Sequence, residues 1–209
     1  MEIQVNPTRM ELNRLKGRMK MAQRGHKLLK DKRDELMRKF LELIRENKDL
    51  RIKVEAQLSR SFANFLLARA VMSGETLEEA IMYPKAKLEL EATTANVMSV
   101  HVPRFTSPNG DGDSDAYPYG FANTSGELDT SIATLSAVLP SLIHLAELEK
   151  AVYLLADEID KTRRRVNALE HVLIPQLAHT VKYIRMKLDE NERGALTRLM
   201  KIKDIIRGD

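Results

Sequence analysis

One apolar seam runs through the N-terminal third of the chain at alternating spacings of three and four residues. A heptad pattern of this kind keeps one stripe of an α-helix against a partner helix over many turns. The pattern therefore predicts a long helix over residues 8–72 whose seam packs on another helix. The seam residues are Leu12, Leu15, Met19, Ala22, His26, Leu29, Arg33, Leu36, Phe40, Leu43, Asn47, Leu50 and Val54.

A second seam with the same spacing predicts another long helix over residues 135–206. At ~1.5 Å rise per residue, each helix would be about 100 Å long. Folding the second helix back on the first produces an antiparallel coiled coil with both termini at one tip. Pro175 lies inside the pattern, removes a backbone donor and should bend the helix locally. The second seam comprises Leu148, Val152, Leu155, Ile159, Thr162, Val166, Leu169 and Leu173, and continues less cleanly through Tyr183 and Ile184.

The middle of the chain, residues 73–134, has a different pattern. TLEEAIMY predicts a short helix, and the alternating segments KLELEA and VMSVHV predict a β-hairpin, with TTAN between its strands. An acidic loop rich in Pro and Gly follows over residues 107–120. The predicted fold class is mainly α: one elongated domain with a coiled-coil helix over 1–72, this insertion over 73–134, and the second coiled-coil helix over 135–209.

Three capping boxes predict where helices begin. In a capping box, a Ser or Thr and a Glu three residues later satisfy the free amides of the first helical turn. The pairs are Thr8 with Glu11, Thr76 with Glu79, and Thr124 with Glu127.

Polar residues interrupt the first seam at His26, Arg33 and Asn47. Such residues usually determine the register and oligomeric state of a coiled coil at some cost in stability. We interpret all three in this way, and we prefer this role for His26 over that of a metal ligand.

The sequence lacks a catalytic constellation. It has no Gly-rich phosphate loop, no HExxH and no GxSxG, and its five His residues show no ligand spacing with carboxylates. Asn109, Asp111, Asp113 and Asp115 alternate as in a calcium-binding loop, but the required Gly and bidentate Glu are missing in both registers. We therefore expect a chain that is not an enzyme and has no catalytic, cofactor or metal site.

Cysteine is absent, which excludes disulfides and thiolate metal sites and suits a reducing compartment. The start, MEIQVNPTRM, has no apolar core of signal-peptide length, and no uninterrupted apolar run approaches about 18 residues. We expect a soluble protein of the cytoplasm.

Charge is distributed unevenly along the chain. Residues 1–72 carry 18 basic and 9 acidic groups (net +9), residues 73–134 carry 3 and 10 (−7), and residues 135–209 carry 13 and 11 (+2). A basic helix end is either a solvated face or a contact for an acidic partner. The candidate partner contacts are Arg9, Arg14, Arg18, Arg163, Arg164, Arg165, Arg198 and Lys201.

Two long segments carry a family resemblance. They are NPTRMELNRLKGRMKMAQRGHKLLKDKRDELM over residues 6–37 and ELEKAVYLLADEIDKTRRRVNALEHVLIPQLAHTVKYIRMKLDENER over residues 147–193. Both resemble the D subunit of the vacuolar and archaeal-type rotary ATPases, in a bacterial form. The segments cover somewhat over a third of the chain, and their order and spacing extend the match over nearly its whole length. The middle, especially SPNGDGDSDAY, contributes nothing to the resemblance.

The resemblance implies a non-catalytic central-stalk rotor that couples ATP synthesis or hydrolysis to proton or sodium transport. Implied partners are the catalytic and regulatory nucleotide-binding ring subunits, a small central-stalk subunit, and a funnel-shaped subunit that links the stalk to the membrane rotor ring. The complex would lie on the cytoplasmic face of the membrane, which the chain would touch only indirectly. The tip, near residues 10–24 and 196–207, would enter the ring, and the hairpin would lie outside it.

Two other classes of protein have some of these features. A coiled-coil chaperone of prefoldin type has the same order of helix, hairpin and helix, but it would grip clients with apolar tips, whereas the tips here are basic. A nucleic-acid-binding coiled coil would use Arg9 to Arg33, but no base-reading motif is present and the acidic middle opposes it.

Overall fold

In chain order, a short helix and a two-stranded hairpin lie between two long helical segments, which confirms the predicted fold class. The computed structural model describes residues 5–82, 88–107, 117, 119–120 and 124–208. Its elements are α1 Arg9–Val71, α2 Gly74–Met82, β1 Glu91–Val97, β2 Val100–Thr106, α3 Gly126–Ala168 and α4 Ile174–Arg207, with a π-helical turn, Leu169–Leu173, between α3 and α4. The chain divides into two compact units.

The first unit consists of Met1–Glu35 and Ile159–Asp209. Its helices are antiparallel, since Arg9 pairs with Glu192 while His26, further along α1, lies 3.3 Å from Glu170. Leu15, Leu177 and Ile184 are its fully buried centre. The partly buried apolar residues packed on that centre are Val5, Leu12, Met19, Ala22, Leu173, Val181 and Leu188.

The second unit consists of Leu36–Glu158. Here too α1 and α3 are antiparallel, because Arg51 pairs with Glu149 at 3.7 Å while Ser61 bonds to the earlier Ser131. At one end α2 completes a small core. Its buried members are Ala68 from α1, Leu77 and Ala80 from α2, and Leu128 from α3, with Phe65, Met72, Tyr119 and Ile132 packed around them.

The predicted seam of α1 is confirmed along its whole length. All thirteen of its residues are buried or half-buried, and Leu15, Leu36 and Val54 are at most 2% exposed. The seam of α3 is confirmed as well, with its buried members at Leu148, Leu155, Ile159, Thr162 and Val166. Heptad spacing thus identified the faces on which the long helices pack.

Beyond residue 173 the seam prediction is confirmed at Ile184, which is 0% exposed, and is wrong at Tyr183, which is 48% exposed. Leu177, which the prediction did not include, is buried. The cause is the π-helical turn, in which the Ile174 N–H donates to the carbonyl of Leu169, five residues back. A π turn inserts one residue into the helix, so Leu177 and Ile184 lie one residue beyond the heptad positions 176 and 183. The turn directly precedes Pro175 and accommodates the missing N–H of that proline, while the predicted bend stays a prediction.

One of the three predicted helix caps is confirmed. The Thr8 hydroxyl accepts a hydrogen bond from the Glu11 N–H at 3.2 Å, and α1 begins at Arg9. The other two predictions are wrong: Ser73 caps α2 by accepting from the Thr76 N–H, and Ser125 caps α3 by accepting from the Glu127 N–H. In both places a serine nearer to the helix start takes the role, since Ser and Thr are both good cap residues.

The hairpin is confirmed, but its turn lies elsewhere than expected. TTAN, predicted to connect the strands, is part of β1, and the turn residues are Met98 and Ser99, with φ values of 53° and 70°. Positive φ at both central residues is characteristic of a type I′ turn, which matches the twist of a two-residue hairpin. The Asn96 side-chain oxygen accepts from the Ser99 N–H at 2.9 Å and supports this turn. Most of the acidic loop lies outside the described residues.

Candidate functional site

The polar residues in the α1 seam fall into three different environments. The His26 ring lies 3.3 Å from the Glu170 carboxylate, next to the π-helical turn. Arg33 instead turns to its neighbour Asp34, with nitrogen–oxygen distances of 3.0 and 2.7 Å. The side-chain oxygen of Asn47 is buried and is the one such atom without a hydrogen-bond partner in the described part of the chain. Of these three seam residues, His26 is the one for which the described contacts include a polar contact with the opposite helical segment.

The eight predicted partner contacts are all exposed and all belong to the first unit. Arg9 pairs with Glu192 across the helices, and Arg14 pairs with Glu11 within α1 at 3.1 Å. The structure does not bring them into one cluster. They form three groups: Arg9, Arg14 and Arg18 at the start of α1; Arg198 and Lys201 near the end of α4; and Arg163, Arg164 and Arg165 on α3, shortly before the π-helical turn.

The last turns of α4 carry an apolar surface that the heptad pattern did not reveal. Because Arg9 at the start of α1 faces Glu192, α4 continues for about 22 Å beyond that pair, at ~1.5 Å per residue. Its apolar side chains here are 52–75% exposed. They are Leu196, Leu199, Met200, Ile202, Ile205 and Ile206. We call these six residues the apolar tip. At about 100° per residue they occupy more than half of the helix circumference.

The pKa shifts in the described residues arise from local structural contacts. Burial, followed by a 2.6 Å hydrogen bond to Asp129, raises the pKa of Tyr119 well above its ordinary value. A hydrogen bond from Lys39 lowers the pKa of Glu42, and a hydrogen bond to Glu190 raises the pKa of Lys187. Both of these pairs are exposed and lie within one helix turn. None of these groups forms an acid–base pair within a cleft.

Metal-binding geometry is absent from the described ranges, in which no three His, Asp or Glu residues come together as ligands would. The candidate calcium ligands of the acidic loop lie outside these ranges. An open groove between α1 and α2 has Phe65, Leu77 and Ile81 as its main apolar lining, with Arg69 and Glu78 at its edge. This lining suits the packing of another apolar surface and offers no nucleophile.

Among the residues that the structure describes, one helical segment is apolar enough to cross a membrane by length and composition. Within Gly126–Arg207 an 18-residue stretch has a mean hydropathy of 1.5, and 17% of it is buried. A search for uninterrupted apolar runs does not find it, because polar residues interrupt the stretch. A single such helix is weak evidence for a membrane span, because helices that pack on protein partners have the same composition. Its low burial instead indicates further apolar surface on α3, where Leu135 and Leu139 are exposed.

Each of the two units pairs antiparallel helices and leaves helix faces exposed. The family model for the D subunit of ATP synthase matches residues 11–204, which is nearly the whole chain. The chain belongs to this family.

Bacterial relatives support the same assignment. The V-type ATP synthase D subunit of Acetivibrio thermocellus is 63% identical over 206 residues, covering 98% of this chain and 92% of the relative. Proteins of the same name from Clostridium novyi and a Thermoanaerobacter species are 58% and 57% identical, and each match covers 98% of this chain. The coverage of those two relatives is 95% and 97%. The resemblance found in the sequence is thereby confirmed.

Proposed function

We propose that this chain is the central-stalk rotor subunit of a V-type rotary ATPase (ATP synthase). In this role it transmits torque between the nucleotide-binding catalytic ring and the membrane ion-translocating rotor, and so couples ATP synthesis or hydrolysis to proton or sodium transport. The observation that carries the proposal is the family match over residues 11–204, together with relatives at 57–63% identity that are V-type ATP synthase subunits.

The chain has no catalytic task in this proposal. A shaft needs helices that do not slide along or rotate about one another under load. The knobs-into-holes packing of a heptad seam resists both movements, and cross-helix contacts such as His26 with Glu170 and Arg51 with Glu149 add polar attachment points. Coupling then arises because the ring makes different contacts with the rotor in each of its conformations.

We place the tip, residues 10–24 and 196–207, inside the ring. A helix that is apolar over most of its circumference is normally enclosed on several sides, and the apolar tip has this property. Large exposed apolar surface of this kind usually marks a protein interface. The basic residues Arg198 and Lys201 lie among the apolar ones and would face acidic or polar groups of the ring.

The proposed partners are the catalytic and regulatory ring subunits at the tip, a small central-stalk subunit, and a funnel-shaped subunit joining the stalk to the membrane rotor. The chain would be a peripheral component on the cytoplasmic face of the membrane, in contact with the bilayer only through the complex. Nucleic acid is not among the expected partners, and no cofactor is expected.

The decisive experiment is affinity purification of the tagged full-length chain from its own cells after nuclease treatment, with mass spectrometry of what is recovered. We expect the nucleotide-binding subunits in stoichiometric amounts. A mixture of unfolded proteins, or nucleic acid recovered only when nuclease is omitted, would contradict the proposal.

A double variant tests the mechanical role in the same complex. Ile202→Ser with Ile205→Ser changes two exposed residues of the apolar tip, so the isolated chain should keep its fold. We expect the complex to assemble and to hydrolyse ATP while ion pumping per ATP falls. Unchanged pumping would contradict insertion of the apolar tip in a torque-bearing position. The control is Met186→Ser, an exposed apolar position of α4 outside the tip.

The apolar tip also bears on the chaperone alternative. The expectation of purely basic tips was incomplete, because apolar side chains surround the basic ones at the end of α4. A chaperone of prefoldin type would use such a surface for unfolded clients. The family match favours the rotor, and the purification described above separates the two by whether recovered proteins are folded ring subunits or diverse clients.

A further inference from the structure

Features that weaken a helix lie opposite one another at one level of the first unit. In α1 this level contains Gly25, and glycine within a helix lowers its stability relative to alanine. In the opposite segment it contains the π-helical turn and Pro175, which donates no backbone hydrogen bond. The contact between His26 and Glu170 shows that the two sets lie side by side. We call this level the joint; it comprises residues 25–26 and 169–175.

Packing does not require these features. No heavy atom lies within 4 Å of the place where a Cβ of Gly25 would be, so an alanine would fit there. No residue of the π-helical turn is buried, and none is fully buried from 16 to 35 of α1 or from 167 to 176 of the opposite segment. The seam therefore holds the helices together less firmly at the joint than at Leu15, Val166 and Leu177, which are at most 2% exposed.

The contact between His26 and Glu170 crosses the joint and can change its strength. The Nε2 atom of His26 lies 3.3 Å from a carboxylate oxygen of Glu170, and the two side chains are 21% and 53% exposed. Histidine side chains change charge between about pH 8 and pH 5. In the protonated ring both nitrogens carry a proton, so Nε2 always donates and the contact becomes an ion pair as well as a hydrogen bond. Protonation of His26 therefore strengthens the contact.

Glu170 is the one carboxylate within a helical turn of this contact. On the opposite segment, residues 166–174 contain one other titratable side chain, the exposed His171. The charged groups of α1 within one turn of His26 are cationic and exposed, and they are Arg24, Lys27 and Lys30. These cations disfavour a charge on His26, but solvent and salt screen them because they are exposed. Glu170 is therefore the group at the joint that favours a charged His26.

We propose that the joint is a flexible level of the coiled coil and that the His26–Glu170 ion pair closes it as the pH falls. In the closed state the two side chains are in contact and the π-helical turn is held against α1. In the open state the contact is broken and the amides of the turn exchange with solvent. Because the ion pair belongs to the closed state, the closed fraction rises as the pH falls from 8 to 5 and decreases as the pH rises. The switch lies within this chain, so it does not depend on the proposed function.

Hydrogen–deuterium exchange of the full-length chain tests the switch at pH 5.5 and pH 8, after correction for the pH dependence of the chemical exchange rate. We expect the amides of residues 170–174 to be less protected at pH 8 than those of residues 177–184. Lowering the pH to 5.5 should raise their protection by roughly 1.5- to 5-fold, the range expected for a partly exposed ion pair. Glu170→Gln should abolish this rise, whereas His171→Gln, the matched control in the same turn, should retain it. No rise in the natural chain, or an equal rise in Glu170→Gln, would overturn the proposal.

Gly25→Ala tests whether the two helices open together at the joint. Alanine favours the helix and fits in the open space, so the amides near residue 25 should exchange about fivefold more slowly. If the joint opens as one unit, the amides of residues 170–174 should slow by a similar factor. The matched control is Gly17→Ala, since Gly17 is the other glycine of α1, also has open space and lies about two turns away. It should slow exchange near residue 17 and leave the turn unchanged. Slowing confined to α1 in Gly25→Ala, or equal slowing of the turn by both variants, would overturn the proposal.

Discussion

Ser61 and Ser131 exchange hydrogen bonds between α1 and α3, each hydroxyl donating to the backbone carbonyl of the other residue at 3.3 Å. Both are almost completely buried, at 2% and 4% exposure. Side-chain-to-backbone bonds in both directions require the two helix backbones to come close, which only small residues allow. This contact marks a close approach of the two helices, at residues that the predicted seam did not include.

Enlarging Ser61 should therefore be costly. Ser61→Leu forces a larger side chain into a close helix contact and should lower the free energy of unfolding by ~1–3 kcal/mol or more. Ser61→Ala, which removes one hydrogen bond without adding volume, should cost only about 1 kcal/mol. Urea unfolding followed by far-UV circular dichroism measures both. Equal stability of the two variants would contradict the inference that the backbones of α1 and α3 come close at Ser61.

Truncation of the buried seam of α1 should cost more stability than truncation of an exposed apolar residue on the same helix. Leu36 is 0% exposed and Leu41 is 48% exposed on the same helix. Leu36→Ala should cost ~2–5 kcal/mol through lost contacts and a cavity, whereas Leu41→Ala in the isolated chain should cost much less. Urea midpoints of the two variants give the comparison. A larger loss of stability for Leu41→Ala than for Leu36→Ala would contradict the assignment of Leu36 to the buried face and Leu41 to the exposed face.

Replacing Asn47 by leucine should stabilise the isolated chain. The Asn47 side-chain oxygen is buried without a partner, and leucine at this seam position removes that polar atom and adds apolar contact. We expect a gain of about 1–3 kcal/mol in the free energy of unfolding. Asn47→Asp is the opposite control and should destabilise the chain. Because polar seam residues restrict register, analytical ultracentrifugation should also be used to detect new oligomers of the leucine variant.

The Tyr119–Asp129 contact predicts a loss of stability in alkali. The raised pKa keeps the folded tyrosine protonated above about pH 10, where the tyrosine of the unfolded chain ionises. The folded state then binds more protons, so the free energy of unfolding falls as the pH rises beyond about 10. Tyr119→Phe should lose ~1.5–3 kcal/mol at neutral pH, since its hydrogen bond to a carboxylate is lost, and should decline less steeply in alkali. Tyr153→Phe, at a 66% exposed site, is the control and should behave like the natural chain.

Deleting a single residue should convert the π-helical turn into ordinary α-helix. Deleting Val172, a 51% exposed residue inside the turn, returns the downstream seam to heptad spacing. Combined with Pro175→Ala, which restores the missing backbone donor, the deletion should leave an ordinary α-helix and change stability by only about 1 kcal/mol. Arg164 lies in a regular part of α3, where no π-helical turn can absorb the loss of a residue. Deleting Arg164 should therefore destabilise the chain strongly. If both deletions proved equally harmful, the turn would not be a one-residue insertion.

Much of the architecture can be read from the sequence, because helix periodicity is a local property that repeats over many turns. The α1 seam from Leu12 to Val54, the cap at Thr8 and the presence of a hairpin all follow from residue type and spacing. The family resemblance rested on two long segments and was equally accessible. The candidate basic contacts remain predictions, and the structure separates them into three groups.

Other features depend on contacts between segments that are distant in the chain. Whether Ser73 or Thr76 caps α2 depends on where α1 ends, and whether Tyr183 or Leu177 is buried depends on a π turn that one extra residue produces. Similarly, sequence alone shows that Leu36 and Leu41 are both apolar. Only the packing of α3 against one side of α1 decides that the first is covered and the second is left exposed, because burial is a property of the partner surface as well as of the residue.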